Sequence, residues 1–415
     1  MKSKIVVVLT LIILLVGCTS PKPVTDDTGV TNEDIESVVR ANNNFAFDFY
    51  RAINKPEENL FFSPYSLSTA LAMTYEGAKE QTAQEMQAVF HYPSIDQLRK
   101  GSASVYNKLN SKDKEVKLNT ANALWAQENF KFLDEYFTNI EKYYGGKVTN
   151  LDFAQDTKAS RIIINDWVEA QTMNKIKNII PPGVLNQATR LVLTNAIYFK
   201  GNWVKEFDKK DTREQDFWQT KDSSIKSEMM RLKDEEFNFA ETKDVKILEL
   251  PYDGNKYSML LLLPKGKTEK EDYERNYGLE QAEKYLTKED LLELKTQMTK
   301  QELLVMIPKF KFETKYFLKE TLSSMGMPTA FSDVADFSGM TGSKDLMITS
   351  VIHQAFIEVD EKGTEAAAAT VVAVGLTSAG PSGPVFVADH PFIFMIQEIE
   401  TGNILFLGKV YDPTK

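Results

Sequence analysis

The spacing of apolar positions predicts several helices after residue 30. Thr31 and Asp34 have the spacing of a helix-capping box, in which each side chain accepts a hydrogen bond from the other residue's backbone N–H. Apolar residues then recur near helical spacing, as on one face of a helix. These residues are Ile35, Val38, Val39, Phe45, Ala46 and Phe49. Three more stretches with this pattern are Ser66–Phe90 (with Pro64 just ahead), Lys158–Ile180 and Tyr316–Met325.

Strand-like patterns lie between these helices and dominate the later part of the chain. Arg190–Lys200 is almost continuously apolar, as expected of a strand covered on both faces. Met347–Asp360 alternates, with Val351, His353 and Ile357 on one face. The other predicted strands are Val116–Gln127, a hairpin of Lys246–Leu250 and Lys256–Leu263, and two strands between Pro391 and Val410. Early helices and late strands predict one mixed α+β domain.

Net charge argues against one class of partner. The 415 residues carry a net charge of −10, and the pI is near 5.2. Nucleic-acid binding requires a basic face that displaces counterions, so we expect no nucleic-acid partner. The basic residues between positions 99 and 114 are interleaved with acidic and polar ones, and we interpret them as a solvated face. They are Arg99, Lys100, Lys108, Lys112 and Lys114.

The N-terminus has the pattern of an export signal. Lys2 and Lys4 precede the apolar run Ile5–Val16, which is short for a membrane span but typical of a signal peptide. Leu15–Cys18 resembles the lipobox of bacterial-type lipoproteins, in which the cysteine is acylated. We therefore expect a signal peptide over residues 1–18, a flexible tether over 19–31 and a domain over 32–415.

This N-terminal pattern predicts an exported protein that is lipid-anchored through Cys18 on the outer side of the cell membrane. The alternative is an ordinary signal peptide that happens to contain Cys18, which would give an extracellular protein. Cys18 is the only cysteine, so no intrachain disulfide can form and the fold must rest on its core.

Residue types that carry common enzyme chemistry are sparse. The histidines are His91, His353 and His390, and no G-x-S-x-G motif or metal-ligand spacing is present. The stretch Gly266–Thr268 resembles the end of a phosphate-binding loop, but Leu261 stands where that motif needs its first glycine. We expect no enzymatic activity, no cofactor and no metal, and we interpret His353 as a core histidine.

A long uncharged stretch near the C-terminus raises the question of function. Ala366–Ala388 carries no charge, although the chain as a whole is acidic. Gly375, Gly380 and Pro381 argue against a transmembrane helix, and the apolar content argues against simple disorder. If this stretch and the residue pair before it formed a strand, alternate residues would place small or β-branched side chains on one face. These residues are Thr364, Ala366, Ala368, Thr370, Val372 and Val374. A segment that suits both an exposed loop and a buried strand suggests an element with two states.

The residues before this stretch resemble the proximal hinge of the serpins, the loop-inserting protease inhibitors. The hinge residues are Glu361, Lys362, Gly363, Thr364, Glu365, Ala366, Ala367, Ala368, Ala369 and Thr370. Four other segments resemble serpin motifs in the same order. They are Asn59–Met86, Leu191–Phe207, Met325–Met340 and Ala388–Pro413. The resemblance implies three β-sheets, eight or nine helices and an exposed reactive-centre loop at about residues 361–388.

The resemblance also implies a mechanism. A serpin presents its loop to a serine protease, which cleaves one bond and is held as a covalent acyl-enzyme while the loop inserts into the large sheet. Thr364 would enter first, followed by Ala366 and Ala368, and these small residues favour an inhibitor. The alternative is a non-inhibitory serpin that acts as a binding or structural protein. The expected partner is a serine protease, and a cysteine protease is a further candidate; the chain itself is expected to be monomeric.

Counting along the serpin hinge places the reactive bond between Thr377 and Ser378, with Leu376–Thr377 as the alternative. Neither bond offers Arg or Lys to a trypsin-like pocket. The apolar neighbours suggest an elastase-like or subtilisin-like target, and Leu376 would admit a chymotrypsin-like one. The resemblance also assigns a set of residues to opening of the large sheet. They are Ser63, Ser66, Asn195 and His353, with Trp203 near the point of insertion.

Overall fold

The first helix begins where the capping-box spacing predicts it. In the computed structural model, which describes residues 24–110, 116–129, 131–265, 278–364 and 383–415, α1 covers Asn32–Ile53. Thr31 Oγ1 accepts a hydrogen bond from Asp34 N (3.2 Å), and Thr31 N donates to Asp34 Oδ2 (2.9 Å). Phe45 and Phe49 are completely buried, so the predicted apolar face does enter the core.

The described residues form ten α-helices, one or two more than the eight or nine expected. After α1 these are α2 Pro64–Tyr75, α3 Glu80–Phe90, α4 Ile95–Leu109, α5 Asp134–Tyr144, α6 Thr157–Gln171, α7 Glu280–Glu283, α8 Lys288–Thr296, α9 Lys319–Met325 and α10 Ser338–Thr341. Two of them, α7 and α10, are single turns of four residues. None of the described helices is long and apolar enough to cross a membrane.

The single helix predicted over Ser66–Phe90 is wrong, because the chain bends between α2 and α3 at Gly77. The bend is set by a close approach to α10, where Gly339 N donates to Gly77 O at 3.0 Å. A Cβ on Gly77 would collide with the Met340 side chain. The helix predicted over Lys158–Ile180 likewise stops early, at Gln171.

Fifteen strands are present in the described residues. They are β1 Leu60–Phe62, β2 Val116–Gln127, β3 Lys147–Leu151, β4 Leu191–Asn202, β5 Arg213–Thr220, β6 Ser223–Glu241, β7 Val245–Pro251, β8 Tyr257–Pro264, β9 Thr299–Pro308, β10 Phe310–Phe317, β11 Ser350–Asp360, β12 Gly363–Thr364, β13 Val385–Val387, β14 Phe392–Glu398 and β15 Ile404–Val410. The predicted hairpin is confirmed as β7–β8, and the two C-terminal strands are confirmed as β14 and β15. The end of the predicted helix Tyr316–Met325 is α9, but its first two residues belong to β10.

The strands form two hydrogen-bonded sheets where three were expected. One has six strands in the order β10-β11-β12-β4-β2-β3, and the other has nine, β1-β15-β14-β8-β7-β6-β9-β13 with β5 paired to β6. The long strand β6 explains the difference in number. It shifts register between Leu232 and Glu235 and pairs with β5, β7 and β9 along its 19 residues, so two sheet regions are joined into one.

The central strand β4 of the six-stranded sheet is covered on both faces, as its continuous run of apolar residues predicts. On one face α6 contributes Ile164 and Val168 to a cluster with Trp125 and Val192. On the other face α2 packs against β2 and β4. β4 is thus buried from Leu191 to Phe199, whereas the edge strand β10 keeps Lys311 and Glu313 exposed to solvent.

The end of the predicted tether lies against the domain. Thr25 is only 3% exposed, and Asp26 N donates to Lys142 O (2.7 Å) at the end of α5. The polar composition of this segment predicts a free chain, but its side chains find hydrogen-bonding partners on α4 and α5. Val24, the first described residue, is 86% exposed, and contact with the domain begins at Thr25.

Substituting Gly77→Ala should destabilise the protein, because the added methyl group must push α10 away from the α2–α3 bend. Overpacking of this kind typically lowers the free energy of unfolding by about 1–3 kcal/mol. Urea unfolding of the uncleaved protein measures the effect. A midpoint and slope equal to those of the wild type would show that the bend tolerates a side chain.

Candidate functional site

The candidate site is a place where two neighbouring strands of the six-stranded sheet separate. β4 and β11 pair in parallel from Val192–Ser350 to Ile197–Ala355. Beyond that point the two-residue strand β12 lies between them and pairs antiparallel with both. The sheet is thus closed along one part and already divided by the hinge at its other end.

Thr364, the second residue of β12, is held in this division. It is 2% exposed, and its Oγ1 is 2.6 Å from the hydroxyl of Tyr252. Burial raises the pKa of Tyr252, so this hydroxyl stays protonated. Trp203 stacks on Tyr252 with ring centroids 4.5 Å apart, and its backbone N and Nε1 donate to Lys362 O (2.8 Å) and Asp360 O (3.1 Å). The hinge is therefore seated against an aromatic pair.

Glu361 anchors the hinge from a buried position. Its side chain is 4% exposed and lies 3.4 Å from Lys309 Nζ, and Thr212 Oγ1 donates to its Oε1 (2.9 Å). Lys309 also pairs with Glu228 at 3.4 Å. Burial opposes the charge on Lys309, but the two carboxylates outweigh it and raise the pKa of Lys309. Lys309 thus forms ion pairs with two carboxylates, Glu361 and Glu228, at the base of the loop.

Gly363 allows the hinge to approach β4 closely. A Cβ at this position would collide with the carbonyl oxygen of Gly201. In the same turn, Asp360 Oδ1 accepts a hydrogen bond from Lys362 N (2.8 Å), and burial raises the pKa of Asp360. The turn between β11 and β12 therefore has little room for a larger residue at Gly363.

A buried polar cluster lies where β4 and β11 are still paired directly. His353 on β11 is opposite Asn195 on β4, and both are completely buried. Ser63 N donates to His353 Nε2 at 3.1 Å, so the ring proton is on Nδ1, which donates to Asn195 Oδ1. Burial lowers the pKa of His353 to about 3, and the ring is therefore neutral.

Asn195 extends this cluster to α2 and β2. Its Nδ2 donates to Ser66 Oγ (2.5 Å) and to Asn122 Oδ1 (2.7 Å), and Ser66 Oγ donates to Asn122 Oδ1 (3.0 Å). Ser63 Oγ accepts from Ser66 N and donates to Leu405 O. Sequence reasoning missed Asn122. The available signal was an asparagine inside a predicted strand, as Asn195 is, but the β2–β4 register was needed to pair them.

The structure brings four of the predicted sheet-opening residues together and places Trp203, which was expected near the point of insertion, beside the hinge. Ser63, Ser66, Asn195 and His353 form the polar cluster, whereas Trp203 lies beside the hinge, eight residues after Asn195 on the chain. The remaining predicted site residues fall outside the described residues. These are Cys18, Glu365, Ala366, Ala367, Ala368, Ala369, Thr370, Leu376, Thr377 and Ser378.

Comparison with known proteins assigns the family. A family model described as "Serpin (serine protease inhibitor)" matches residues 40–413. The chain belongs to the serpin family. An uncharacterized serpin-like protein of Methanosarcina acetivorans is 43% identical over 98% of this chain and 97% of the relative. Leukocyte elastase inhibitor A of Rattus norvegicus is 39% identical over 91% of this chain and 100% of the relative.

Solved structures support the serpin fold independently. Uncleaved ovalbumin superposes with a TM-score of 0.79 at 32% identity, and the match covers 91% of this chain and 100% of the other. Serpins are generally protease inhibitors rather than catalytic enzymes. The described residues of this serpin hold no group of three or more His, Cys, Asp or Glu side chains that could bind a metal ion.

Acid should destabilise the closed sheet of this serpin through His353. Its pKa of about 3 in the folded protein lies below the ordinary value of about 6.5, so only the unfolded chain binds a proton between these limits. The free energy of unfolding should therefore fall by up to about 1.4 kcal/mol per pH unit as the pH drops from about 6.5 towards 3. Urea unfolding of wild type and His353→Gln between pH 7 and 4 measures this slope.

The variant should have the shallower slope in this pH range. His91→Gln is the matched control, because His91 lies at the surface on the C-cap of α3. Equal slopes for wild type and His353→Gln would mean that the buried histidine does not control acid stability.

Proposed function

We propose that this serpin inhibits serine proteases by cleavage and insertion of its reactive-centre loop. The observation that carries the proposal is the position of Thr364, which is buried between β4 and β11 at the point where a longer inserted strand would begin. Because Thr364 already pairs with both strands, the following residues of the loop could insert beyond it along the same line between β4 and β11.

The reaction would begin as an ordinary proteolytic acyl transfer. The protease's serine Oγ attacks the carbonyl carbon of Thr377, the bond to Ser378 N breaks, and a proton transferred by the protease's histidine leaves with the new amine. The acyl-enzyme then carries the free N-terminal part of the loop. If the bond is Leu376–Thr377 instead, the same chemistry applies one residue earlier.

Insertion would carry the attached protease along the sheet. Thr377 is the thirteenth residue after Thr364, and a strand rises about 3.3 Å per residue, which gives a movement of roughly 40 Å. β4 and β11 would have to separate by about one further strand spacing, roughly 4.8 Å. That separation exchanges their direct pairing for pairing of both strands with the inserted loop, and so adds hydrogen bonds in total.

The side chains after Thr364 suit this new position. Ala366, Ala368 and Thr370 would follow Thr364 on one face of the inserted strand, and none carries a charge. Thr364 is buried, so a charged side chain at the positions that follow it on the same face would have to leave water, and an unpaired buried charge is strongly unfavourable. This composition favours insertion over simple hydrolysis of the acyl link.

The loop sequence supports an elastase-like or subtilisin-like target. The residues before the expected bond include Val372, Val374 and Leu376, and neither candidate bond follows a basic residue. Similarity to a protein named leukocyte elastase inhibitor A is consistent with this choice. A chymotrypsin-like protease would use Leu376, and a cysteine protease could enter the same acyl-transfer step through its thiolate.

We further propose that the inhibitor works outside the cytoplasm on a microbial surface. The lipobox-like sequence ending in Cys18 supports attachment by an N-terminal lipid to the outer side of the cell membrane. A monomer tethered in this way would protect the surface from serine proteases of the cell itself or of competitors. Release from the membrane would leave the same inhibitor extracellular.

Replacing Thr364→Arg should abolish trapping but leave cleavage intact. The guanidinium cannot be accommodated beside the Tyr252 hydroxyl without burying an unpaired charge, so insertion should become slower than hydrolysis of the acyl link. Mixing with elastase or subtilisin followed by denaturing electrophoresis distinguishes the covalent complex from cleaved protein. Thr364→Ser, which keeps the hydroxyl, should still form the complex.

Two results would count against the proposal. If wild type is cleaved cleanly and forms no complex with any serine protease tested, the protein is better described as a non-inhibitory serpin with a binding or structural role. If Thr364→Arg traps protease as well as wild type does, the hinge does not govern insertion.

A further inference from the structure

The segment before α1 bonds α4 and α5, two helices that also pack directly on each other where Gly145 meets Tyr106. Thr25 N and Oγ1 both donate to Asn107 Oδ1 on α4 (2.9 Å each), and Asn107 Nδ2 donates back to Thr25 O (2.8 Å). Thr25 Oγ1 also lies 2.8 Å from Ala103 O. The next residue, Asp26, bonds the end of α5 through its backbone N–H to Lys142 O (2.7 Å) and through an ion pair with Lys142 Nζ (3.2 Å).

These contacts are specific rather than incidental surface contacts. Thr25 is 3% exposed, although it lies in a segment without regular structure. The Thr25–Asn107 pair satisfies the backbone N–H and C=O of Thr25 with one side chain. Hydrogen bonds from Thr28, and then the contact with Lys142, lower the pKa of Asp26 to about 2, so Asp26 is ionised at neutral pH.

The two helices are connected to different parts of the fold. α4 is packed on the first turn of α1, where a Cβ on Gly101, in the middle of α4, would collide with Asp34 O. The end of α5 leads directly to the sheet, because only Gly145 and Gly146 separate it from β3. β3 is the outer strand of the unit β3-β2-β4, which is hydrogen-bonded throughout.

We propose that Thr25 and Asp26, with Asn107 and Lys142, form a clasp that restrains widening of the six-stranded sheet and so sets the rate of loop insertion. The inference rests on the proposed function, since it concerns the same widening. When a strand enters between β4 and β11, the unit β3-β2-β4 must move by roughly 4.8 Å relative to β11. β3 then draws the end of α5 with it, while the middle of α4 stays on α1.

That displacement would stretch the clasp. Hydrogen bonds weaken steeply beyond about 3.2 Å, so a shift of a few ångströms at Lys142 cannot be absorbed by the Asp26 contacts. The Thr25–Asn107 pair fixes the position of Asp26 and therefore transmits the restraint to α4. The exposed ion pair is expected to contribute less than the buried hydrogen bonds, because water and salt screen it.

The rate of sheet widening can be measured without a protease. The full-length protein is incubated with an excess of a synthetic peptide that has the sequence of residues 364–376, and formation of a complex with a raised melting temperature is followed over time. Removing the Asn107 amide by Asn107→Ala should speed peptide uptake at least about fivefold, the factor that one lost hydrogen bond usually represents. Asp26→Asn should give a smaller increase that disappears at high salt.

Asp27→Asn is the matched control, because it makes the same charge change one residue away and should leave the rate unchanged. Urea unfolding of each intact variant tests whether α4 remains folded, which is expected since alanine favours a helix more than asparagine does.

The outcomes separate this inference from the proposed function. If wild type takes up no peptide and Asn107→Ala takes up none either, the sheet does not open and the proposed function fails. If wild type takes up peptide and Asn107→Ala does so at the same rate, the clasp is refuted while the proposed function stands. An equal acceleration by Asp27→Asn would also refute the clasp, since it would show a general effect of charge.

Discussion

The rest of the structure depends on a sheet whose two central strands are paired over only part of their length. β4 and β11 pair directly from Val192–Ser350 to Ile197–Ala355. Further along, the hinge strand β12 lies between them and pairs with both. Each end of this arrangement needs its own stabilisation, since an unpaired strand edge inside a protein leaves backbone groups without partners. The polar cluster closes the paired part, and the aromatic pair Trp203–Tyr252 supports the divided part.

The hinge is positioned so that the sheet can remain divided without closing or opening further. Thr364 pairs with both neighbouring strands and contacts the Tyr252 hydroxyl, so both strand edges have a pairing partner at that level. Glu361, buried beside Lys309, prevents the turn from sliding deeper or lifting out, because either movement would separate a buried charge from its partner. Under the proposed function, these contacts hold the loop ready until it is cut.

Local patterns predicted seven of the fifteen described strands, but they missed helices such as α4 and α5. The capping box at Thr31 and the hairpin β7–β8 depend on neighbouring residues and on the two-residue period, so one sequence reveals them. The bend at Gly77 depends on contact with Gly339 and Met340, which are distant in sequence, and the helical period passes through Gly77 without a visible break. The order of residues 24–30 similarly depends on a tertiary partner, Asn107.

Only those residues of the candidate site that belong to a recognisable sequence motif could be predicted. The hinge sequence from Glu361 onwards resembles a family pattern, and its first residues do lie in the sheet. Asn122 has no motif of its own, because its importance follows from lying opposite Asn195 in the β2–β4 register. The burial of Glu361 was also not visible, since a glutamate beside Lys362 and Asp360 suggests a solvated turn.

A polar cluster is a suitable closure for a sheet that must be both stable and able to open. Apolar contacts between β4 and β11 would weaken gradually as the strands part, because the hydrophobic effect follows buried area. Hydrogen bonds among His353, Asn195 and Ser66 instead break over a short distance and leave buried donors and acceptors unsatisfied until new partners arrive. The cluster therefore raises the barrier to opening more than it stabilises the closed state. Under the proposed function, that difference lets the closed sheet persist for long periods and still give way once the cut loop supplies a new strand.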